Sequence, residues 1–214
     1  MRYNQGMDTA YPIACLVSGG GTNLQAIIDR IERGALAARI AAVVANVPDA
    51  FALERAKQHG LPAFVVDHRE FAGREAFERS LAGIIDNSGA QLLCLCGFMR
   101  ILTPQFIGRY PGRIINIHPA LLPKYGGKGF YGYHVHQAVL AAGEKESGCT
   151  VHLVDAQVDH GPIILQRSVP VLPDDTPETL AARVLVQEHL AYPEAIGLFA
   201  AGRVRIDGSH AVIS

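Results

Sequence analysis

Short apolar runs alternate with amphipathic segments along the first 118 residues of the chain. The runs have the length of buried strands, and the segments between them repeat apolar positions at helical spacing. Gly34 and Gly60 close two of these segments, as glycines commonly do at the ends of helices. The pattern predicts strands at 12–17, 38–46, 63–67, 90–97 and 112–118. It predicts helices at 23–34, 49–60, 73–89 and 103–110.

The predicted strand at 90–97 is almost entirely apolar, which is typical of a central strand covered on both faces. Because strands and helices alternate, the sequence predicts an α/β fold with an open, mostly parallel, twisted sheet. The rhythm changes after residue 145. There the pattern predicts an antiparallel C-terminal extension of two strands, a long closing helix and a last short strand, at 148–155, 162–171, 176–202 and 203–208.

Composition limits the classes to which the protein can belong. The 214 residues are 49% hydrophobic and 18% charged, with a net charge of −1. These are globular values, and the charge gives no sign of a nucleic-acid or membrane-surface partner. No apolar run approaches the ~20 residues of a membrane helix, and residues 1–11 lack the apolar centre of a signal peptide. We therefore expect a cytoplasmic protein with one domain at 12–214 behind an N-terminal extension.

The cysteines and histidines raise the question of a metal site. Cys94 and Cys96 lie two residues apart on one strand, and the chain has no CxxC pair, so a structural zinc site is not expected. We interpret the four cysteines as buried thiols in a reducing compartment. Four histidines lack an acidic partner at the spacing of metal ligands: His118, His134, His136 and His152. The sequence therefore predicts no metal.

Ligands of doubly wound sheets bind beyond the carboxyl ends of the strands, where the strand order reverses. Gly19, Gly20 and Gly21 follow the first strand and precede a helix, so backbone N–H groups there can surround an anion. The loop lacks the lysine of a Walker A motif, and it departs from GxGxxG at Leu24. A single phosphate group therefore fits better than a dinucleotide. The alternative is a tight strand-to-helix turn without a ligand.

Two polar residues end the fifth predicted strand and share one face, Asn116 and His118. An amide and a protonated imidazole are two donors that can stabilise an oxyanion, and Pro119 holds His118 in an extended conformation. A carboxylate from the acidic segment 155–160 would keep His118 charged and handle protons. The alternatives are a capped strand end and an Asx turn.

The loop after the fourth strand reads GFMRIL at 97–102. An apolar run interrupted by Arg100 can line a pocket for a flat, partly apolar ligand. An ordinary covered loop with a snorkelling arginine is the alternative.

Six stretches stand in a specific order: VSGGGTNLQAIID, ANVPDAFALERA, GFMRILTPQFI, GRIINIHPALLPKY, GCTVHLVDAQVDHGPIILQ and ARVLVQEHLAYP. With them the chain, from about residue 13 to residue 207, resembles the phosphoribosylglycinamide formyltransferases. The resemblance implies a Rossmann-like formyltransferase fold in a monomer or homodimer. It also implies direct transfer of the formyl group of 10-formyltetrahydrofolate to the amine of glycinamide ribonucleotide, in purine synthesis and without a metal.

The resemblance also implies roles for individual residues. The catalytic group would be Asn116, His118 and Asp159. The acceptor would be held by Gly20, Gly21, Thr22, Asn23, Arg74 and Glu188, with Lys124 as a further candidate. The folate would be held by Met99, Arg100, Ile101, Leu102, Ile107, Asn116, Asp155 and Asp159. These roles divide the domain into a nucleotide- and phosphate-binding half at 12–118 and a folate-binding and closing half at 119–214.

One segment departs from the resemblance, because the loop between Lys124 and His136 is longer than the Pro-Gly-Leu-His type of loop expected there. This longer loop could cover or reshape the site. The related methionyl-tRNA formyltransferases should carry a further nucleic-acid-binding domain, and formyltetrahydrofolate hydrolases a regulatory domain; 214 residues favour neither. A non-catalytic nucleotide- or folate-binding protein is the alternative from another class.

Overall fold

The computed structural model describes residues 10–208 and 210–214. Most strands form one sheet: β1 Tyr11–Val17, β2 Ala38–Ala45, β3 Ala63–Val65, β4 Leu92–Cys96, β5 Ile114–His118, β6 Glu146–Leu153 and β7 Ile163–Pro170. A separate hairpin consists of β8 Val204–Asp207 and β9 His210–Ile213. The α-helices are α1 Thr22–Glu32, α2 Phe51–Gln58, α3 Arg74–Ser88, α4 Pro104–Arg109, α5 Tyr133–Ala141 and α6 Pro177–Ala200. A short 3₁₀ turn covers His68–Glu70.

The seven-stranded sheet has the order β3-β2-β1-β4-β5-β6-β7. Strands β1 to β5 run parallel to one another, β6 pairs antiparallel with β5, and β7 pairs antiparallel with β6. The chain first builds outward from β1 to β3 and then returns to the other side of β1 as β4. The strand order therefore reverses between β1 and β4, where a ligand site is expected. The predicted mostly parallel sheet with an antiparallel extension and a long closing helix is confirmed.

The two faces of the sheet carry different helices and two separate hydrophobic clusters. On one face α1, α2, α5 and α6 pack against side chains such as Cys15, Cys94 and Ile115. On the other face α3 and α4 pack against side chains such as Leu93 and Leu95. We call these the α6 side and the α3 side. Because side chains alternate along a strand, neighbouring residues of β4 serve opposite sides.

The long helix α6 is fixed at its start and near its end. Thr176 and Thr179 form a reciprocal capping box, and Pro177 occupies the first turn, where its missing N–H costs no hydrogen bond. The buried Tyr192 hydroxyl lies 3.0 Å from the carbonyl oxygen of Leu95 and 3.1 Å from that of Ile115. These contacts hold α6 over the centre of the sheet, between β4 and β5.

Several details go beyond the predictions from sequence. Helix α5 was not predicted, and it places His134 and His136 on a helix. Strand β9 pairs with the predicted last strand. All four cysteines are buried free thiols, as predicted. The predicted extension at 1–11 falls outside the described residues up to residue 9, and Tyr11 begins β1. In the described part of the chain, every helix is too short or too polar to cross a membrane.

Candidate active site

The polar groups of the candidate site meet at the carboxyl end of β5 and in the segment that follows β6. His118, the last residue of β5, is 3% exposed. Its Nε2 lies 2.7 Å from the Tyr125 carbonyl oxygen, so that Nε2 donates a hydrogen bond. Its Nδ1 lies 3.4 Å from Oδ2 of Asp159. The structure thus brings together His118 and Asp159, which are 41 positions apart in the sequence (159 − 118 = 41).

A second histidine completes this cluster, and the sequence analysis considered it only as a metal ligand. His152 is buried on β6, directly opposite Asn116 on β5. Its Nδ1 lies 2.8 Å from the Leu153 carbonyl oxygen, and its Nε2 lies 3.3 Å from Nδ2 of Asn116. Because a carbonyl only accepts and an amide nitrogen only donates, Nδ1 donates to the Leu153 carbonyl and Nε2 accepts from Asn116 in these two contacts. The Asn116 amide is thereby held with one N–H still available.

Asp159 is held in an unusual backbone conformation, with φ of 55°. Its Oδ2 accepts a hydrogen bond from the Gly127 N–H at 3.0 Å, and its Oδ1 lies 3.7 Å from Nε2 of His152. Burial alone would raise the pKa of Asp159, but the contact with His152 and the charge of His118 bring it below its usual value. Asp159 is therefore a carboxylate at neutral pH.

The imidazole of His118 is subject to opposing influences. Burial lowers the pKa of His118, whereas the Asp159 carboxylate and the Tyr125 carbonyl raise it without cancelling the effect of burial. Both ring nitrogens face acceptor atoms, which is the arrangement that an imidazolium satisfies. The neighbouring His136 is buried as well, and burial lowers its pKa. The two contacts of His118 thus favour the protonated imidazole, whereas its burial favours the neutral imidazole.

The loop 125–132, whose role the sequence left open, reaches His118 and Asp159 through its backbone. Tyr125 has a positive φ of 55°, and its carbonyl and the Gly127 N–H contact His118 and Asp159 respectively. The Tyr125 hydroxyl donates to Oε1 of Glu144 at 2.9 Å, and Lys124 Nζ lies 2.9 Å from the same oxygen. Lys124 is therefore engaged on the protein itself.

The glycine loop after β1 has the geometry of an anion site. Gly21 has φ of 68° and precedes α1, where no side chain caps the free N–H groups. Asn23, in the first turn, donates through Nδ2 to Oε2 of Glu188 at 2.8 Å. Asn23 Oδ1 is buried with no hydrogen-bond partner. Burial raises the pKa of Glu188, and the bond from Asn23 opposes this. Both side chains can therefore receive polar groups of a ligand.

The loop after β4 offers an apolar surface at the point where the strand order reverses. Met99 and Ile101 are 58% and 55% exposed, while Leu102 is buried and Ile107 packs partly against the α3-side cluster. Arg100 is half-buried between them. Exposed apolar side chains next to one cation match the expected surface for a flat ligand.

Two contacts fix the ends of this apolar loop. The Met99 N–H donates to Ser18 Oγ at 2.8 Å, which links the loop to the end of β1. At the other end, the buried Glu78 of α3 accepts hydrogen bonds from the Thr103 backbone at 2.7 Å and from the Thr103 hydroxyl. The sequence analysis missed Glu78, because an acidic residue in an amphipathic helix gives no local signal of burial.

Arg74 lies on the α3 side rather than at the glycine loop. It is the first residue of α3 and lines an open cavity of about 530 Å³ with Arg79 and Thr103. This cavity adjoins the 99–103 loop, and within residues 10–208 and 210–214 Arg74 makes no hydrogen bond or ion pair with the glycine loop. Asp155, another predicted ligand residue, accepts from the Gln157 N–H at 2.8 Å in an Asx turn. It also lies 2.8 Å from Nδ1 of His160.

Similarity to known proteins extends over most of the chain. A family model described as formyl transferase matches residues 11–196. The chain belongs to the formyl transferase family. It is 44% identical over 194 residues to the phosphoribosylglycinamide formyltransferase of Escherichia coli (strain K12). The aligned residues are 91% of this chain and 89% of that protein. The structure of glycinamide ribonucleotide transformylase 1 from Symbiobacterium toebii matches with a TM-score of 0.90 and 44% identity, over 96% of this chain and 94% of that chain.

A segment similar to this chain also occurs within much longer relatives. The trifunctional purine biosynthetic protein adenosine-3 of Drosophila melanogaster is 44% identical over 196 residues. These residues are 91% of this chain but only 14% of that protein. Within the described part of this formyl transferase, no group of three or more His, Cys, Asp or Glu side chains is placed to hold a metal ion.

Proposed function

We propose that the protein transfers the formyl group of 10-formyltetrahydrofolate to the amine of glycinamide ribonucleotide, within purine biosynthesis. The observation that carries the proposal is the cluster of Asn116, His118 and Asp159 beside an anion loop, in a member of the formyl transferase family. The names of the bacterial relatives, which match nearly their whole length, support the same substrates. The products are formylglycinamide ribonucleotide and tetrahydrofolate.

The chemistry needs an oxyanion to be stabilised and a proton to be removed. Attack of the amine on the formyl carbon puts negative charge on the formyl oxygen. The free N–H of Asn116 and the N–H groups of protonated His118 are the donors for that oxygen, and removing one such donor typically costs ~10²–10³ in rate. Asp159, ionised and next to His118, favours the charged imidazole and takes up the amine proton, directly or through water. Collapse of the tetrahedral intermediate then breaks the bond from the formyl carbon to N10 of the folate, and N10 takes up that proton as tetrahydrofolate leaves.

His118 can donate to the oxyanion only if one of its present contacts is exchanged. Its Nε2 is directed at the Tyr125 carbonyl and its Nδ1 at Asp159. We therefore propose that the 125–132 loop moves when substrates bind, so that one N–H of His118 turns to the formyl oxygen. The positive φ values of Gly127, Gly129 and Gly132 make such a movement inexpensive for the backbone.

We propose that the acceptor binds on the α6 side. Its phosphate group would lie on the free N–H groups of Gly20, Gly21, Thr22 and Asn23, where the α1 dipole adds favourable potential. Glu188, linked to Asn23, would hold the ribose hydroxyls or the amine end. In this arrangement the acceptor amine would point along the carboxyl ends of the parallel strands toward His118.

We propose that the folate binds across the loop after β4. Its flat ring system would rest on Met99, Ile101 and Leu102, with Arg100 at the edge. The folate tail ends in carboxylates, and the cavity lined by Arg74, Arg79 and Glu75 offers two cations for them beside one carboxylate of its own. We therefore assign Arg74 to the folate rather than to the acceptor. All four cysteines are buried free thiols, which suits a reducing compartment, and we propose the cytoplasm.

A turnover assay tests the proposal. Purified protein with glycinamide ribonucleotide and 10-formyltetrahydrofolate should change the folate absorbance, and mass spectrometry should find the formylated acceptor. Loss of the formyl group without acceptor would indicate a formyltetrahydrofolate hydrolase instead. Binding of both ligands without turnover, at high protein concentration, would indicate a non-catalytic binding protein.

A further inference from the structure

Arg55, on α2, reaches the glycine loop from outside the sequence motif. Its Nε donates to the Gly20 carbonyl oxygen at 2.8 Å, and its Nη1 donates to Oε1 of Gln25 at 3.0 Å. Its Cζ lies 5.0 Å from the centre of the Phe51 ring. The guanidinium is therefore held by a loop carbonyl, a side-chain amide of α1 and an aromatic face.

The start of α2 is packed directly against the same loop. The Ala52 N–H donates to the Gly19 carbonyl oxygen at 3.0 Å. A Cβ atom at Gly21 would lie 2.6 Å from Cβ of Ala52 and 3.6 Å from Cδ of Arg55. The loop and the base of the Arg55 side chain are thus in close contact, so the positive charge has a fixed place beside the loop.

The charge of Arg55 has no carboxylate partner in the described part of the chain. Other arginines do have one, since Arg109 pairs with Asp86 and Arg183 with Asp175. Gln25, which accepts from Arg55, donates through its amide nitrogen to Asp29 at 2.9 Å. A guanidinium has five N–H donors, and the two protein contacts of Arg55 leave the others available.

We propose that Arg55 is a further acceptor-binding residue, which supplies positive charge to the phosphate group at the glycine loop. A phosphomonoester carries about −1.5 to −2 charge at neutral pH. A helix N-terminus offers only roughly +0.5 charge. The α1 dipole alone therefore leaves much of the phosphate charge uncompensated. Arg55 provides a full charge and, being already held in place, loses little freedom when the anion binds. The identity of the acceptor rests on the proposed function.

Steady-state kinetics of Arg55→Gln give the first test. We expect the KM for glycinamide ribonucleotide to rise about 10–100-fold, the range typical of a lost hydrogen bond to a charged group. The kcat and the KM for the folate should stay near the wild-type values. Lys57→Gln is the matched control, because it removes the same charge from an exposed position of the same helix. The KM of Arg55→Lys for glycinamide ribonucleotide should lie between those of Arg55→Gln and Lys57→Gln, since lysine keeps the charge but lacks the planar guanidinium.

An acceptor without the phosphate group distinguishes charge from mere support of the loop. With glycinamide ribonucleoside, wild type and Arg55→Gln should have the same kcat/KM, because the group that Arg55 recognises is missing. An equal loss with both acceptors would overturn the proposal and leave Arg55 as a brace for Gly20.

A binding measurement keeps the inference separate from the proposed function. Calorimetric titration should show that ribose 5-phosphate binds the wild-type protein and binds Arg55→Gln about 10–100-fold more weakly. Ribose should not reveal this difference. That result would support the role of Arg55 even if the wild type proved inactive as a formyltransferase. Equal binding of ribose 5-phosphate by both proteins, or binding by neither, would overturn it.

Discussion

At the scale of single residues, the site is organised by what each polar atom can donate or accept. The two nitrogens of His152 face the Leu153 carbonyl and the Asn116 amide N–H. His118 instead faces two acceptors, the Tyr125 carbonyl and Asp159. Two buried histidines on adjacent strands therefore have different hydrogen-bonding partners, and the roles proposed for them follow from this difference.

Replacing Asp159 by asparagine should lower the pKa of His118. The carboxylate raises that pKa, so its removal leaves the effect of burial less opposed. Turnover should fall by about 10²–10⁴, because both the charge on His118 and the proton acceptor are lost. Titration of the histidine side chains by NMR measures the pKa.

Asp207→Asn is the matched control for this experiment, since Asp207 is exposed on the β8–β9 hairpin. It should leave both the His118 titration and turnover unchanged. An unaltered His118 pKa in Asp159→Asn would contradict the assignment of the pair.

Candidate site residues could be predicted from the sequence where they form a local motif. They could not be predicted where the partner of the residue lies on another strand or helix. Asn116 and His118 were found from their shared facing before a proline. The link from His152 to Asn116 arises only when β6 pairs antiparallel with β5. The buried Glu78 is likewise explained by Thr103, which is distant in sequence.

At the scale of elements, the 125–132 loop is the part that sequence reasoning could not place. The sequence showed only that this loop is longer than expected, because its contacts with His118 and Asp159 are made by backbone atoms, which carry no sequence signature. The parallel strands were predictable because each is a continuous apolar run. Helix α5 was not, because its histidines and small residues give a weak pattern.

The Gly126→Ala substitution tests whether the loop positions the catalytic residues. An alanine Cβ at this position would lie 2.5 Å from Cδ2 of Leu122 and 3.2 Å from Cβ of Asp159. Leu122 is buried and has little room to move. The loop should therefore shift away from Asp159, and kcat should fall by about 10-fold or more, since small displacements of catalytic groups are costly. Steady-state kinetics measure the change.

Gly83→Ala provides the control, because a Cβ at Gly83 of α3 meets no atom within 4 Å. We expect it to keep kcat and to raise the free energy of unfolding by about 0.5–1 kcal/mol, as alanine does for glycine within a helix. A wild-type kcat in Gly126→Ala would show that the loop backbone does not position Asp159.

At the scale of the whole molecule, the sheet separates the two proposed substrates. The proposed acceptor residues Asn23 and Glu188 lie on the α6 side, on α1 and α6, whereas the cavity of Arg74 lies on the α3 side. The proposed catalytic residues lie between the two substrates, at the carboxyl end of β5 and after β6. The halves at 12–118 and 119–214 that the sequence suggested stay a prediction. In the proposed arrangement both contribute to the acceptor site, since Asn23 of the first half donates to Glu188 of the second.

Separation by the sheet predicts that substitutions on opposite sides act independently. Glu188→Gln should raise the KM for the acceptor, and Arg74→Gln the KM for the folate. In the double variant the free-energy changes from kcat/KM should add within about 0.5 kcal/mol, as is usual for distant sites without shared partners. A coupling above about 1 kcal/mol would contradict the two-sided arrangement. Glu188→Gln combined with Asn23→Ala is the opposite case, because these side chains are hydrogen-bonded at 2.8 Å and their effects should not add.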